Sequence, residues 1–415
     1  MKVLQINNSE ALVGGSERVY HLTSELLARS GHQVCSLSCG EAPAGTQKRA
    51  YLLRRNGYYG RSPIDAVRNA VQFLHRREAA TLLEEVLRVE QPDVAHLHIF
   101  YGQLTSAILP VLRRHRIPTV MSVHEYRLVC PVSSMFRPGH GVCEECSGGR
   151  YWSAVRHACN RGSRAASLLS AAECYWRDRR IPYPAHIDHF VMVSEFCRRK
   201  HVEHLPELES RSSTIYNFVD EAAIVAPVSP AEPRYVLYAG RLAPEKGVEV
   251  LLEAASRIGG LEVRIAGTGP LLVELQERWR GVANIRFLGH LGGSDLREQL
   301  SRAAFVVVPS IWFENNPMSV LESFAAGTPV IGSDIGGIPE LVVDDDTGIL
   351  VKPGDASSLE AGLRRALALE GGQLWDMKRR CQALVRARHS PASHLSALLA
   401  VYRTAAEAKG VTLAC

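Results

Sequence analysis

Residues 303–329, AAFVVVPSIWFENNPMSVLESFAAGTP, decide the fold of their half of the chain. The stretch begins with a continuous apolar run that is typical of a buried β-strand, and that run ends at a proline. The segment after Pro317 has the apolar spacing of a helix and ends at Gly327. Two carboxylates, Glu314 and Glu322, flank the turn between strand and helix. A strand and a helix joined by a turn with charged residues predict a parallel sheet. A binding site is then expected where the carboxyl ends of its strands lie.

The same alternation of short apolar strands and amphipathic helices recurs along the whole chain. In the C-terminal half it starts near residue 233 and predicts strands in YVLYAG, EVRIAG, IRFLG, AFVVVPS and PVIGSD, with helices over 248–258, 270–280, 294–302 and 317–326. In the N-terminal half it predicts strands over 2–7, 92–98 and 189–195 and in HQVCSLS and IPTVMSVHE. This order predicts an α/β protein with two doubly wound parallel sheets. The last periodic segment, SHLSALLAVYRTAAEAKG, predicts a helix that packs on the first half.

Length and composition indicate a soluble globular protein of two domains. The chain has 415 residues, more than one hydrophobic core usually holds, with 46% apolar and 22% charged residues. Its formal net charge of +5 suits phosphorylated ligands or an acidic membrane surface and is too small to indicate a nucleic-acid-binding protein. The start MKVLQINNSE shows no secretory pattern, and no apolar run reaches the roughly 18 residues of a spanning helix. We therefore expect a cytoplasmic protein whose cysteines are thiols or metal ligands.

Basic and glycine-containing loops follow two predicted strands of the C-terminal half. Arg241 and Lys246 follow YVLYAG, and two cations beside a helix N-terminus favour phosphate. Gly267 and Gly269 follow EVRIAG and would let a ligand approach the backbone. The alternative interpretation of the basic loop, two solvated charges on a surface, is about as frequent.

The loop after AFVVVPS combines the two acids with a predicted helix start. Asn316 is predicted as the N-cap and Pro317 as the first helical residue, which would point the amides of 317–319 at a ligand. Glu322 then lies on the second turn of the helix, and Glu314 lies in the loop before it. A pair of glutamates is more often a solvated face, but these two flank the exit of a buried strand.

Two features of the N-terminal half are candidates for ligand contact. Gly14 and Gly15 open the first predicted helix, where the backbone can approach a ligand; neither G-x-G-x-x-G nor a P-loop motif is present. His124 follows the strand in IPTVMSVHE, and a histidine at a strand end can bond a hydroxyl or accept a proton. A structural histidine with satisfied hydrogen bonds is the more frequent outcome for such a position.

Taken together, the loops GGSERV, GRLAPEKG, AGTGP, FLGHL, ENNPMSVLE and GGIPELV resemble the family 4 nucleotide-sugar glycosyltransferases over nearly the full chain. The resemblance implies a GT-B fold, with two facing Rossmann-like domains and a C-terminal helix that returns to the first domain. It implies an acceptor domain over 1–217, a donor domain over 218–384 and the returning helix over 385–415. It also implies a retaining transfer of a sugar from a nucleotide-diphosphate sugar to a hydroxyl acceptor, without a catalytic metal.

The resemblance also implies roles for individual residues. Arg241 and Lys246 would hold the donor diphosphate, Glu322 the ribose hydroxyls and Glu314 the donor sugar. The implied catalytic residues are His124, Glu314, Arg241 and Lys246, and the implied donor-binding residues are Gly14, Gly15, Arg241, Lys246, Gly267, Gly269, Glu314, Asn315, Asn316, Pro317 and Glu322. Asn315 stands where many members have glycine, so the identity of the donor sugar does not carry over.

Four cysteines form a separate pattern, C-x₁₂-C-x₂-C-x₁₂-C, made by Cys130, Cys143, Cys146 and Cys159. The central C-x₂-C can hold one ion, and the outer pair can complete a tetrahedron, which predicts a structural zinc. The segment is rich in Gly, Pro, Arg and Ser, so metal binding would supply folding energy that its small apolar content does not. An iron–sulfur cluster and reduced thiols are the alternatives. A subgroup of family 4 enzymes has a similar cysteine cluster.

The acceptor is expected to be a glycan or a lipid-linked saccharide of cell-surface polysaccharide synthesis. Residues 150–180 contain seven arginines and two acids interleaved with aromatic side chains, which predicts peripheral contact with the inner face of the membrane. A helix of the N-terminal domain that packs by its apolar face and keeps its arginines in solvent is about as frequent. Two other functions stay open. One is a nucleotide-sugar epimerase of the same fold, and the other is a non-catalytic zinc module that binds nucleic acid.

Overall fold

The computed structural model describes residues 1–12, 14–40, 49–57, 62–228 and 235–413. These residues form two compact units, and the chain passes from one to the other at 134/135, 143/144, 215/216 and 393/394. The first unit comprises 1–134, 144–215 and 394–415, and the second comprises 216–393 together with 135–143.

The first unit is built on a parallel sheet that has seven strands in the described residues, in the order β3-β2-β1-β4-β5-β8-β9. Its strands are β1 Lys2–Ile6, β2 Gln33–Cys39, β3 Arg49–Leu53, β4 Val94–Leu97, β5 Thr119–Val123, β8 His189–Met192 and β9 Ser212–Thr214. Its helices are α1 Gly15–Arg29, α2 Pro63–Leu74, α3 Arg77–Glu90, α4 Leu109–Arg114, α5 Trp152–Arg156, α6 Arg164–Arg180, α7 Glu195–His204 and α14 Pro391–Glu407. Strand order reverses between β1 and β4, so β1 and β4 frame a switch point.

The second unit repeats this architecture with six parallel strands in the order β12-β11-β10-β13-β14-β15. Its strands are β10 Tyr235–Ala239, β11 Glu262–Ala266, β12 Ile285–Gly289, β13 Phe305–Val308, β14 Val330–Ser333 and β15 Gly348–Val351. Its helices are α8 Val248–Ser256, α9 Leu272–Arg278, α10 Gly293–Arg302, α11 Met318–Ala325, α12 Ala356–Ala368 and α13 Gly371–Arg388. The switch point lies between β10 and β13, and ligands of open parallel sheets bind at the carboxyl ends of such strands. A short antiparallel hairpin, β6 Phe136–Arg137 and β7 Gly141–Val142, belongs to the same unit.

The prediction of two doubly wound α/β halves is confirmed, and so is the returning C-terminal helix. Leu398, Val401 and Tyr402 of α14 pack in one apolar cluster with Val3 of β1 and Val94 of β4. These contacts bury the apolar face that the sequence pattern assigns to the helix. No helix of the described residues is both long and apolar enough to span a membrane.

Candidate active site

A buried ion pair lies at the switch point of the second sheet. Lys246 follows β10 and Glu314 follows β13, and the Lys246 Nζ lies 2.7 Å from the Glu314 Oε1. The hydroxyl of Ser310 donates to the same oxygen at 2.7 Å. The Glu314 side chain is only 8% exposed, and the Lys246 Nζ also lies 4.8 Å from the ring centroid of Trp312. The two strands next to the switch point therefore bring a fixed cation and a fixed carboxylate together.

The Glu314 carboxyl stays ionised because its partners outweigh its burial. Burial alone would raise its pKa, but the Lys246 ammonium and the Ser310 hydroxyl hold the pKa below the ordinary value. Since the folded-state pKa lies below the unfolded one, the ionised carboxylate stabilises the fold above pH 4.5, the ordinary glutamate value. This stabilisation is lost as the pH falls through the lower folded-state pKa.

Backbone-to-backbone contacts surround this pair and require glycine at two positions. Gly247 has a φ of +66°, and a Cβ atom there would lie 1.9 Å from the carbonyl oxygen of Pro309. Gly336 has a φ of +65°, and a Cβ atom there would lie 2.3 Å from the carbonyl oxygen of Glu314. The amide of Gly337 also donates to the Glu314 carbonyl at 2.7 Å. The loop that carries Glu314 is thus held in place by main-chain contacts with Gly336 and Gly337.

The other basic and glycine residues of the predicted donor site lie in the neighbouring loops. Arg241 is 67% exposed, and its Nη1 lies 3.9 Å from the Glu245 carboxylate. A Cβ atom at Gly267 would lie 1.9 Å from the carbonyl oxygen of Gly240. A Cβ atom at Gly269 would lie 2.3 Å from the carbonyl oxygen of Leu242. Close packing of the β10 and β11 exit loops therefore explains both glycines, and their contact with a ligand stays a prediction.

The predicted start of α11 is wrong by one residue. The helix begins at Met318, its N-cap is Pro317, and no side chain caps it. The side chain of Asn316 instead accepts a hydrogen bond from the Asn217 amide at 3.1 Å, and the Asn217 Nδ2 donates to the Asn316 carbonyl at 2.9 Å. Because Asn217 occupies its oxygen, Asn316 cannot cap the helix.

The remaining residues of the ENNP stretch lie where the sequence pattern places them. Glu322 lies on the second turn of α11 and is half-buried. Asn315, which lies between Glu314 and Asn316 in the chain, is buried.

Asn217 is a residue that sequence reasoning missed, because it lies 99 positions from Asn316 and no motif marks it. The His389 ring in turn bonds the Asn217 carbonyl at 3.0 Å.

In the first unit, His124 lies at the end of β5 in a buried row of histidines. Its Nε2 lies 2.9 Å from the Nδ1 of His98, and the two rings stack at 5.2 Å with an interplanar angle of 8°. The Nε2 of His98 lies 2.9 Å from the Gln5 Oε1. Burial lowers the pKa of His124 to about 4, so the ring is neutral at pH 7. His98 and Gln5 are further residues that sequence reasoning missed. The H-x-H pattern in HLHIF, residues 96–100, could have indicated His98.

Gly14 and Gly15 open α1 as predicted. Gly14 is the N-cap with an extended φ of −160°, and Gly15 is the first helical residue. Both are exposed, so the first amides of α1 are accessible. Helix amides of this kind can bind an anion, but nothing in the described residues assigns one here.

The four cysteines lie in a segment of irregular backbone. Cys130 is buried, whereas Cys143, Cys146 and Cys159 are half-buried. Positive φ angles occur near them at four non-glycine residues, Ser133, Met135, Ala158 and Arg161. Each such residue costs about 1 kcal/mol, and the same number of non-glycine residues with positive φ, namely Gln91, Thr105, Arg116 and Asp345, lie elsewhere among the described residues.

The turn between the two central cysteines has two acidic residues, of which Glu144 contacts α7 and Glu145 pairs with His157. Glu144 bonds Lys200 at 2.8 Å and the His204 ring at 3.1 Å. Four sulfur donors are a ligand set of structural zinc sites. Among the described residues, however, the group whose ligand atoms lie within 4.8 Å of one another is Glu144, Glu203 and His204 and contains none of these cysteines. The zinc itself stays a prediction.

Comparison with known proteins identifies the fold family. Residues 13–223 match the family model described as Glycosyltransferase Family 4, and residues 220–385 match the one described as Glycosyl transferases group 1. The chain is 25% identical over 394 residues to glycogen synthase of Mycobacterium tuberculosis, an alignment that covers 88% of this chain and 86% of that protein.

Two solved structures show the same fold across almost the whole chain. Sucrose-phosphate synthase from Thermosynechococcus elongatus aligns with a TM-score of 0.72 at 19% identity, over 98% of this chain and 99% of that one. Anabaena Alr3699/HepE, solved in complex with UDP-glucose, aligns with a TM-score of 0.65 at 16% identity over 99% of both chains. The chain therefore belongs to glycosyltransferase family 4 and is a glycosyltransferase of the GT-B fold.

Proposed function

We propose that the enzyme transfers a sugar from a nucleotide-diphosphate donor to a hydroxyl acceptor with retention of anomeric configuration. The observation that carries this proposal is the Lys246–Glu314 pair at the switch point between β10 and β13. A fixed cation and a fixed carboxylate in one loop cluster suit a ligand that has both phosphate and sugar hydroxyls. The UDP-glucose complex of Anabaena Alr3699/HepE supports a donor of this class.

The proposed roles follow from the chemistry of each side chain. Lys246 and Arg241 neutralise the negative charge that develops on the departing diphosphate, which removes the need for a catalytic metal. Glu314 accepts hydrogen bonds from the donor sugar, and the backbone at Asn315, Asn316 and Pro317 contacts sugar or phosphate. Glu322 accepts hydrogen bonds from the ribose hydroxyls. In the first unit, Gly14 and Gly15 approach the diphosphate, and His124 contacts the sugar.

We expect Glu322→Gln to weaken donor binding about 10- to 100-fold without destabilising the protein. A carboxylate accepts stronger hydrogen bonds from two ribose hydroxyls than an amide does, and charge-assisted hydrogen bonds contribute about 1.5–3 kcal/mol. The measurement is a thermal-shift titration with UDP and other nucleoside diphosphates, followed by transfer kinetics with UDP-glucose.

Glu274→Gln is a matched control, because it removes one exposed carboxylate from α9 of the same unit. Its nucleotide affinity should equal that of the wild type. Equal affinities for Glu322→Gln and the wild type would contradict the proposed donor site.

For the acceptor, we propose a glycan or lipid-linked saccharide of cell-surface polysaccharide synthesis, reached at the cytoplasmic face of the membrane. Helix α6 supports this proposal, because Arg164, Leu168, Tyr175 and Arg179 follow at helical spacing on one exposed face. Leu168 is 47% exposed and Tyr175 44% exposed, and the neighbouring Trp152 of α5 is 61% exposed. The Tyr175 hydroxyl accepts from the Trp152 amide at 3.1 Å, so the two aromatic residues form one surface.

The buried side of α6 leaves this surface strongly basic. Glu173 and Arg177 are buried, and Glu173 pairs with Arg127 at 2.5 Å. Arg164, Arg179 and Arg180 of α6 stay exposed beside one exposed acid, Asp178, so the exposed face has a net positive charge. Basic helices with exposed apolar side chains bind anionic bilayers.

We expect the protein to co-sediment with phosphatidylglycerol vesicles at low salt and to bind phosphatidylcholine vesicles much less. Leu168→Ser combined with Tyr175→Ser should weaken sedimentation about 10-fold, because less apolar area enters the bilayer. Val273→Ser is the control, since Val273 is an apolar residue on α9 that is more exposed, at 66%, than either Leu168 or Tyr175. Wild-type protein that stays in the supernatant with anionic vesicles would rule out the membrane proposal.

We further propose that Cys130, Cys143, Cys146 and Cys159 bind one structural zinc. Purification without added metal should yield about one zinc per chain, and Cys146→Ser should lose the metal together with stability. Elemental analysis and thermal unfolding measure both effects, and Cys35→Ser, at a buried cysteine of β2, is the control. A brown protein would indicate an iron–sulfur cluster instead, and metal-free protein that stays folded would exclude any metal.

A further inference from the structure

A buried chain of hydrogen bonds links three neighbouring strands of the first sheet to His124. Gln5 lies on β1, His98 directly follows β4 and His124 directly follows β5, and these strands are adjacent in the sheet. The contacts run from the Gln5 Oε1 to the His98 Nε2 at 2.9 Å, and from the His98 Nδ1 to the His124 Nε2 at 2.9 Å. Gln5 and His98 are both fully buried, so this arrangement is held by the sheet itself.

The order of donors and acceptors follows from the amide oxygen at one end. The Gln5 Oε1 can only accept, so the His98 Nε2 carries a proton and donates it. In a neutral His98 the Nδ1 is then bare and accepts, so the His124 Nε2 must carry the proton of that ring. The other nitrogen of a neutral His124, Nδ1, is therefore an acceptor.

We propose that His98 is a positioning residue that holds His124 in the Nε2–H tautomer, which makes Nδ1 the acceptor nitrogen of the His124 ring. This inference rests on the proposed contact between His124 and the sugar. His124 is half-buried at the end of β5, whereas His98 is fully buried and acts only through His124. A bare histidine nitrogen is well suited to this role, since a carboxylate in its place would favour the imidazolium form of His124.

A second buried histidine on the same strand offers a matched comparison. His96 bonds the Tyr402 hydroxyl at 2.8 Å and the Ser122 hydroxyl at 2.8 Å. Its hydrogen bonds do not involve His124, although it is as deeply buried as His98. The His96 ring also packs against the His98 ring at a centroid distance of 4.4 Å. Replacing His96 therefore tests the effect of disturbing the packing of His98 without removing the hydrogen bond from His98 to His124.

The first test is the tautomer of His124 in the wild-type protein, by NMR on histidine labelled with ¹⁵N and assigned through His124→Gln. The expected signal is that of the Nε2–H form, and a signal of the Nδ1–H form would overturn the inference. This measurement needs no destabilising substitution and no substrate. The result of this measurement is therefore valid even if the proposed donor or acceptor is wrong.

The second test compares two near-isosteric substitutions at position 98. The Asn side-chain oxygen can replace the Nδ1 of His98 as acceptor, so His98→Asn should keep the Nε2–H signal and most of the transfer activity. His98→Leu removes the acceptor and should lower kcat/KM about 10-fold, which corresponds to the loss of one hydrogen bond. His96→Leu should keep the His124 signal and the activity.

The outcomes separate this inference from the proposed function. Equal kcat/KM values for His98→Leu and His98→Asn would overturn the positioning role, even with the expected tautomer in the wild type. Full activity of His124→Ala would instead overturn the proposed sugar contact of His124. A fall of activity in His98→Leu that His98→Asn restores supports both.

Discussion

Lys246→Met is expected to lower the rate of sugar transfer about 100-fold or more and to destabilise the protein by about 3 kcal/mol. The loss of rate follows from removing the cation that the proposed mechanism places on the donor diphosphate. The loss of stability follows because the Glu314 carboxylate is left buried without its partner, at only 8% exposure. Steady-state kinetics and urea unfolding measure the two effects separately.

A double variant separates the structural effect from the catalytic one. In Lys246→Met/Glu314→Gln no charge is left unpaired at the switch point, so most of the lost stability should return. The transfer rate should stay low, because neither the cation nor the carboxylate is restored. Transfer at the wild-type rate in the single variant would contradict the proposed role of Lys246.

Gly336→Ala is expected to destabilise the second unit by more than about 3 kcal/mol and to abolish transfer. The new Cβ atom would lie 2.3 Å from the Glu314 carbonyl oxygen, so the Glu314 loop would have to move. The positive φ of +65° adds about 1 kcal/mol of backbone strain for any residue other than glycine. Thermal unfolding and a transfer assay measure the effect.

Gly281→Ala isolates the contribution of backbone strain. Gly281 has a φ of +84°, and a Cβ atom there would meet nothing within 4 Å. We expect this variant to lose only about 1 kcal/mol and to retain its activity. Equal stability losses for the two alanine variants would show that the contact with Glu314 does not matter.

The central strands of both sheets were predictable because they are apolar and end at glycine, proline or polar residues. β10 and β13 are examples, since each is almost fully buried and followed by a loop with distinct chemistry. The edge strands β3 and β9 were missed for the opposite reason. Both are half-buried at most of their residues, so their sequences lack a continuous apolar run. The edge strand β15 was also missed, although it is apolar and mostly buried, because it has only four residues.

Contacts between distant parts of the chain were the least predictable features of the site. The family resemblance implies that Lys246 contacts phosphate and Glu314 contacts sugar, but it does not predict that they pair with each other. Their contact joins residues 68 positions apart and depends on the adjacency of β10 and β13. Hydrophobic periodicity predicts elements and their exposed faces, and it does not predict strand order.

The main-chain contacts around Glu314 have a consequence for engineering the donor preference of this enzyme. A mutant library that varies Gly247 or Gly336 would consist mostly of unfolded proteins, since each position faces a carbonyl oxygen within 2.3 Å of any added carbon. Variation is better directed at a position that already has a side chain, and Asn315 is the first choice because it directly follows Glu314 in the chain. Such a library would change side chains at the proposed sugar site while both glycines stay in place.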